Sequence, residues 1–256
     1  MKLKIWLLLI TFLGLASSAW ALTINVDGDL SDWGLNTSGF AKNDNNWNPG
    51  IPGVFVFQED QVGSSDYVGP GYGGQEYDVE AILATFDNNY LYIAIATGFP
   101  QAGTSWDAGD ISLDIGNDGT WDYAFIISNY QDGSENRGLT LGGLYEVSSW
   151  LDVYYSSHNV SNPFRMESGT YVGAGSLVYT DDPDHSFSRY FIELAIPLNL
   201  IDWSSTIHNL VAIHWTMECG NDYGTVVAHT PEPSTYMLLG AGLFLMAAFV
   251  KRQKKA

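Results

Sequence analysis

The chain has 256 residues, with 10 Lys and Arg against 29 Asp and Glu, a formal charge of −19 at pH 7 and a single cysteine. Such a balance repels nucleic acid and anionic lipid and suits hard cations, which take carboxylate oxygens. With Cys219 alone, no intrachain disulfide can form, so the fold must be held by its core, with or without a metal.

The first residues are Met1-Lys2-Leu3-Lys4, followed by an apolar run from Ile5 to Leu15 and then Ala19-Trp20-Ala21. A basic start, a short apolar stretch and a small-x-small site predict a signal peptide over residues 1–21. The run is shorter than the ~20 residues a spanning helix needs. The alternative is an uncleaved anchor.

Residues 22–229 follow. Six of the basic residues lie in the two ends of the chain, and so does one acid, Glu232. This stretch is left with four basic and 28 acidic residues, a net of −24. For most of these acids plain solubility is sufficient reason. The helical period is nearly absent here and a period of two is common. Leu91, Ile93 and Ile95 alternate with Tyr90, Tyr92 and Ala94; Ile111, Leu113 and Ile115 alternate with Asp110, Ser112 and Asp114. Further runs start at Trp121, Tyr190 and Val211. Asp87-Asn88-Asn89 and Gly116-Asn117-Asp118-Gly119 separate such runs as hairpin turns. The pattern predicts an all-β fold, a single antiparallel β-sandwich of jelly-roll type. The stretch from Asn43 to Gly74, rich in Gly, Pro, Asn and Asp, holds one clear strand, Val54–Gln58. A loop that long is usually functional or disordered.

Three groups of acids are candidates for calcium. Glu59, Asp60, Gln75, Asp78 and Glu80 surround the run Gly69-Pro70-Gly71-Tyr72-Gly73-Gly74. Asp78 and Glu80, two apart, are expected to share one strand face. A calcium site takes 6–8 oxygens, most of which this stretch can offer; a solvated loop is the equal alternative. Asp110, Asp114, Asn117, Asp118 and Asp122 form the second group. Its spacing is not the EF-hand pattern, and turn aspartates commonly bond their own backbone. The third, Glu218-Cys219-Gly220-Asn221-Asp222, either closes a site with one of the others or is a hairpin turn. The metal ligands expected are Glu59, Asp60, Asp78, Glu80 and Asp110. No Gly-x-Ser-x-Gly, His-Glu-x-x-His, P-loop or dinucleotide fingerprint occurs, so no catalytic residue is expected. Trp33, Trp47, Tyr67 and Tyr72 lie in loop contexts. Trp47, Tyr67 and Tyr72 are the candidates for stacking against a ligand, with structural packing as the alternative.

The chain ends with Pro231-Glu232-Pro233-Ser234-Thr235, an apolar stretch from Tyr236 to Val250, and Lys251-Arg252-Gln253-Lys254-Lys255. The basic cluster would stay cytoplasmic; a simple tail anchor is the alternative reading. This order of parts, over residues 230–256, resembles a PEP-CTERM sorting signal. The resemblance implies a Gram-negative bacterium, often one making exopolysaccharide. It also implies a transient stay in the inner membrane through the C-terminal helix, processing by an exosortase near Pro231, Glu232 and Pro233, and a final place at or beyond the cell surface.

The opening Ile24-Asn25-Val26-Asp27-Gly28-Asp29-Leu30-Ser31-Asp32-Trp33, the stretch Asp87–Ile95 and the run Glu193-Leu194-Ala195-Ile196-Pro197-Leu198 resemble DOMON-like and family 9 carbohydrate-binding modules. That resemblance implies a non-enzymatic sandwich that binds carbohydrate and, with the sorting signal, exopolysaccharide as the expected partner; the oxygens clustered beside the Gly-rich loop make Ca2+ the expected stabilising ion. The alternatives are an extracellular polysaccharide hydrolase and a purely structural surface protein.

Overall fold

A computed structural model describes residues 22–230, apart from 60–61, 132–133, 136, 183–185 and 205–209, together with Gly242. The signal peptide expected at 1–21, the Pro231-Glu232-Pro233 motif and the apolar stretch Tyr236–Val250 lie outside the described residues, as does Asp60. Among the described residues no helix is long and apolar enough to cross a membrane.

The chain forms an antiparallel β-sandwich. Its strands are β1 (Phe55–Gln58), β2 (Val79–Phe86), β3 (Tyr90–Thr97), β4 (Ile111–Ile115), β5 (Tyr123–Phe125), β6 (Tyr130–Gln131), β7 (Ser134–Glu135), β8 (Gly143–Leu151), β9 (Arg165–Ala174), β10 (Ser176–Asp181), β11 (Tyr190–Pro197), β12 (Leu210–Thr216) and β13 (Tyr223–His229). One sheet has the order β1-β2-β3-β11-β10, the other β13-β12-β4-β5-β8-β9, and β6-β7 is a small separate ribbon. The alternating runs fall on the expected strands, because one row of each meets the other sheet. Ile82, Leu91, Ile93, Ile95, Ile192 and Leu194 of the first sheet pack on Ile111, Leu113, Phe125, Val211, Ile213 and Trp215 of the second. Both predicted turns are present. Asp87 Oδ1 accepts the N–H groups of Asn89 and Tyr90 at 2.7 Å each, and Asn117 takes a positive φ of 53°.

The five-stranded sheet departs from the one-sided pattern. Its outer face, with Ala81, Leu83, Tyr92, Ala94, Ala96, Phe191 and Ala195, is buried as well. It is covered by Ile24, Leu30, Trp33, Leu35 and Trp47 from the segment that precedes β1. Alanines on the sheet leave room for two tryptophans, and Trp33 and Trp47 are both fully buried. Two polar anchors hold this cover. The buried Glu193 carboxylate accepts Trp33 Nε1 (2.7 Å), Asp27 N (2.9 Å) and Gly28 N (2.8 Å). Arg189 pairs with Glu80 at 2.6 Å, donates to Ala41 O, and lies 5.2 Å from the Trp47 ring.

Trp33→Ala removes a buried ring and a donor to Glu193, and is expected to cost about 3–5 kcal/mol. Arg189→Met strands the buried Glu80 charge, at a similar cost of about 3–5 kcal/mol. Lys42→Met, at an exposed site, should stay within about 0.5 kcal/mol. Urea unfolding of the excised sandwich measures all three.

Candidate functional site

Three carboxylates from three separate places converge at one end of the sandwich. Glu59 follows β1, Asp78 precedes β2, and Asp222 lies between β12 and β13. Each offers an oxygen within 4.8 Å of the others. Asp78 and Asp222 are buried and Glu59 is half-buried. Asp222 joins the two sheets: its Oδ2 accepts Val79 N of one sheet at 2.6 Å and its Oδ1 accepts Tyr223 N of the other at 2.8 Å. Burial pushes its carboxyl well above the ordinary aspartate range. The charges of Asp78 and Glu59 add to this, while the Val79 and Tyr223 hydrogen bonds oppose it. An all-oxygen set this close suits a hard cation such as calcium.

A groove of about 450 Å³ opens over the cluster, lined by Glu59, Tyr67, Pro70, Val160, Asp222 and Tyr223 among others. The glycine-rich run forms one wall. Gly71 N donates to Asn221 O at 2.7 Å, and Asn221 Nδ2 donates to Tyr72 O. A Cβ on Gly71 would stand 2.5 Å from Asn221 Oδ1, so the loop can approach the turn this closely only with glycine there. Tyr67 and Tyr72 are 43% and 59% exposed and meet edge to face at 5.1 Å.

The other expected residues are placed elsewhere. Glu80 does not share a face with Asp78. A register shift between Val79 and Ala81 interrupts the alternation, and Glu80 is spent on Arg189 and on Gln75 Nε2. Asp110 forms a two-pronged pair with Arg137, both contacts at 2.7 Å, and also accepts Met166 N; it is a structural anion rather than a cation ligand. Trp47 has no exposed surface. Phe40 and Phe191 pack edge-on against it, at 4.9 and 6.4 Å, so it cannot stack on a ligand. Asp114 accepts the N–H groups of Asp118 and Gly119, and Asp122 accepts that of Ile115, the self-capping role open to turn aspartates. Asp222 was named within its turn, but nothing local marks it as the third member. Its bond from Val79 N and the bridge between Pro70 and Asp222 bring it there.

Two potential nucleophiles or bases are ordinary interior groups. Cys219 is buried and its thiol is pushed up to about 12 by desolvation. His214 is pushed down to about 4 by burial and bonds Thr225 Oγ1 and Ser161 O.

Asp222 and His214 act on the pH dependence in opposite senses. The folded-state pKa of Asp222 lies above its unfolded value, so its contribution to stability falls as pH rises above about 4, whereas that of His214, whose pKa is lowered, grows over the same range. In chelator, the midpoint of the wild type relative to Asp222→Asn should therefore decline from there toward neutrality. A difference between the two that does not decline over this range would contradict the assignment.

Comparison with known families adds a match at the other end of the chain: the PEP-CTERM protein-sorting motif, over residues 229–253. It overlaps the sandwich only at His229, the last residue of β13, and no curated protein matches the chain. The chain is thus an exported, exosortase-targeted protein, made as a membrane-anchored precursor that ends up at the cell surface.

Proposed function

We propose that the sandwich is a non-catalytic, calcium-stabilised carbohydrate-binding module, displayed on the surface of a Gram-negative bacterium and directed to that cell's exopolysaccharide. The observation that carries this reading is the pairing of an oxygen-only cluster, all within 4.8 Å, with an overlying groove whose rim displays the Tyr67–Tyr72 ring pair. Exposed rings fixed edge to face each present an apolar face that a sugar ring can cover at little entropic cost. The resemblance of Asp27–Trp33, Asp87–Ile95 and Glu193–Leu198 to DOMON-like and family 9 modules points the same way, as a likeness of fold.

The placement of the groove supports a binding role. Asp222 and Tyr223 stand at one end of β13, and His229, where the sorting motif begins, stands at the other. Seven residues of strand separate them by about 20 Å, so the groove and the start of the sorting motif lie at opposite ends of this strand. A hydrolase reading would use two of the clustered carboxylates as acid and base. Glu59 and Asp222 line the groove, but Asp78 and Asp222 are only 0% and 2% exposed, which favours a structural role for that pair.

Calcium should raise the melting temperature of the excised sandwich, and chelator should reverse it. A cation that binds only the folded state adds about 2.7 kcal/mol at a hundred times its Kd. Asp78→Asn should abolish the response, and equal midpoints with calcium and chelator would refute the ion.

On a glycan array, Tyr72→Ala should weaken the best-bound glycan about tenfold, about 1.4 kcal/mol, and prolonged incubation should leave that glycan intact. Turnover would favour the hydrolase, and an array without binding would leave a structural protein.

A further inference from the structure

The turn Glu218–Asp222 has two aromatic surfaces, one on each side. The groove with Tyr67 and Tyr72 lies on one side, tied to it through Gly71 N, Asn221 Nδ2 and the Pro70–Asp222 bridge. On the other side stands a second cluster. Trp106 lies 4.8 Å from the Tyr154 ring and 5.4 Å from the Tyr155 ring, and those two meet at 5.1 Å with their planes at 89°. Tyr154 is 66% exposed and Tyr155 39%. Rings this exposed are normally scattered singly, whereas a contiguous set marks a surface that binds something.

The cluster is held rigidly from beneath. Tyr154 N donates to Glu218 O at 2.7 Å, and Glu218 N donates to Asp107 O at 3.0 Å. Asp107 N returns a bond to Glu218 Oε2 at 3.0 Å and its carboxylate holds Arg165 at 3.0 Å. His158 Nδ1 meets Cys219 O, and Ser161 Oγ donates to Gly220 O. Val160, on the same short 3₁₀ segment as His158, lines the groove. The second cluster is therefore continuous with the groove across one braced turn.

The charge along this path is of one sign. Asp66 and Glu76 are exposed on the groove side and Asp152 beside Tyr154, with Glu59 and Glu218 half-buried between them. The three arginines of the sandwich are buried in pairs with Asp110, Asp107 and Glu80, and Lys42 lies over Phe187. No exposed Lys or Arg among the described residues borders the path.

We propose that Trp106, Tyr154 and Tyr155 form a second stacking platform, and that the ligand is an extended segment of an amino-bearing polysaccharide running from this platform across the turn to the groove. This rests on the carbohydrate reading above and adds the length and charge of the ligand to it. Rings on both sides stack on sugar faces, and the flanking carboxylates pair with ammonium groups along the polymer. Occupying two linked surfaces multiplies affinity without new contacts at either one.

The test uses the excised sandwich with calcium and glucosamine oligomers, disaccharide and hexasaccharide, with neutral β-glucan and uronate oligomers of the same lengths, read by calorimetry. The hexasaccharide of glucosamine should bind at least about tenfold tighter than its disaccharide, and tighter than either other hexasaccharide. Tyr154→Ala should remove that length advantage and leave disaccharide binding unchanged, whereas Tyr72→Ala should weaken both lengths. An unchanged near-ultraviolet spectrum shows that each variant is folded. Length dependence that survives both Tyr154→Ala and Trp106→Ala, with Tyr72→Ala still effective, overturns the platform and leaves the groove standing. Preference for uronate oligomers overturns the charge assignment. Absence of binding by all three oligomers overturns the carbohydrate reading itself.

Discussion

The five-stranded sheet has two apolar faces, and the rest of the molecule is arranged around burying the second. Its inner face packs on the opposite sheet in the ordinary way. Its outer face would expose Leu83, Tyr92 and Phe191 if nothing covered it. The segment before β1 supplies the cover, but that segment is irregular, and its backbone needs hydrogen-bond partners. Glu193 provides them from the middle of β11, taking two backbone N–H groups and the Trp33 indole. A carboxylate at 0% exposure is costly unless each oxygen is satisfied. Here both oxygens are, so the buried charge becomes the fixing point of the whole layer.

Basic residues are scarce, and the fold spends them inside. Arg137, Arg165 and Arg189 each sit against a buried acid. Removing one partner from such a pair is expensive, which is why these pairs specify position. The consequence appears at the surface. With the arginines withdrawn, solvent sees carboxylates almost alone, and electrostatic selection of partners follows from that. The same excess of acid shapes the Glu59–Asp78–Asp222 cluster, where three carboxylates converge. Two outcomes are available to such a cluster: a proton held by Asp222, as the upward push on its carboxyl indicates, or a bound cation.

Topology then decides what the cluster can serve. The Glu218–Asp222 turn is the crossing point of segments far apart in sequence, with 69–72 on one side and 153–161 on the other. It leads directly into β13, whose far end is the start of the sorting motif. The turn is thus coupled covalently to the tether and non-covalently to every aromatic surface at its end of the sandwich. Rigid strands carry the site and the connecting loops present it, the usual division between scaffold and binding surface.

The destination of the chain and its fold class were legible locally. The Pro231-Glu232-Pro233 motif, the apolar stretch and the basic tail are contiguous. A period of two is visible in any single strand, as in Leu91–Ile95 or Ile111–Ile115, because alternation needs no partner to be read. What failed was each inference that needed a partner. Trp47 is in a polar loop by sequence and in a core by structure, because its neighbours Phe191 and Arg189 are more than 140 residues away. Glu80 has the right spacing from Asp78, but one register shift turned it toward Arg189. Strand β9, with Glu167 to Tyr171 exposed, carries no clear apolar row, since an edge strand has little to bury. Composition and local residue order were enough to determine that this is an acidic, exported, β-rich chain. Which acids are spent on arginines, and which three are left facing one another, was decided by the pairing of the two sheets, because carboxylates interact through space and not along the chain.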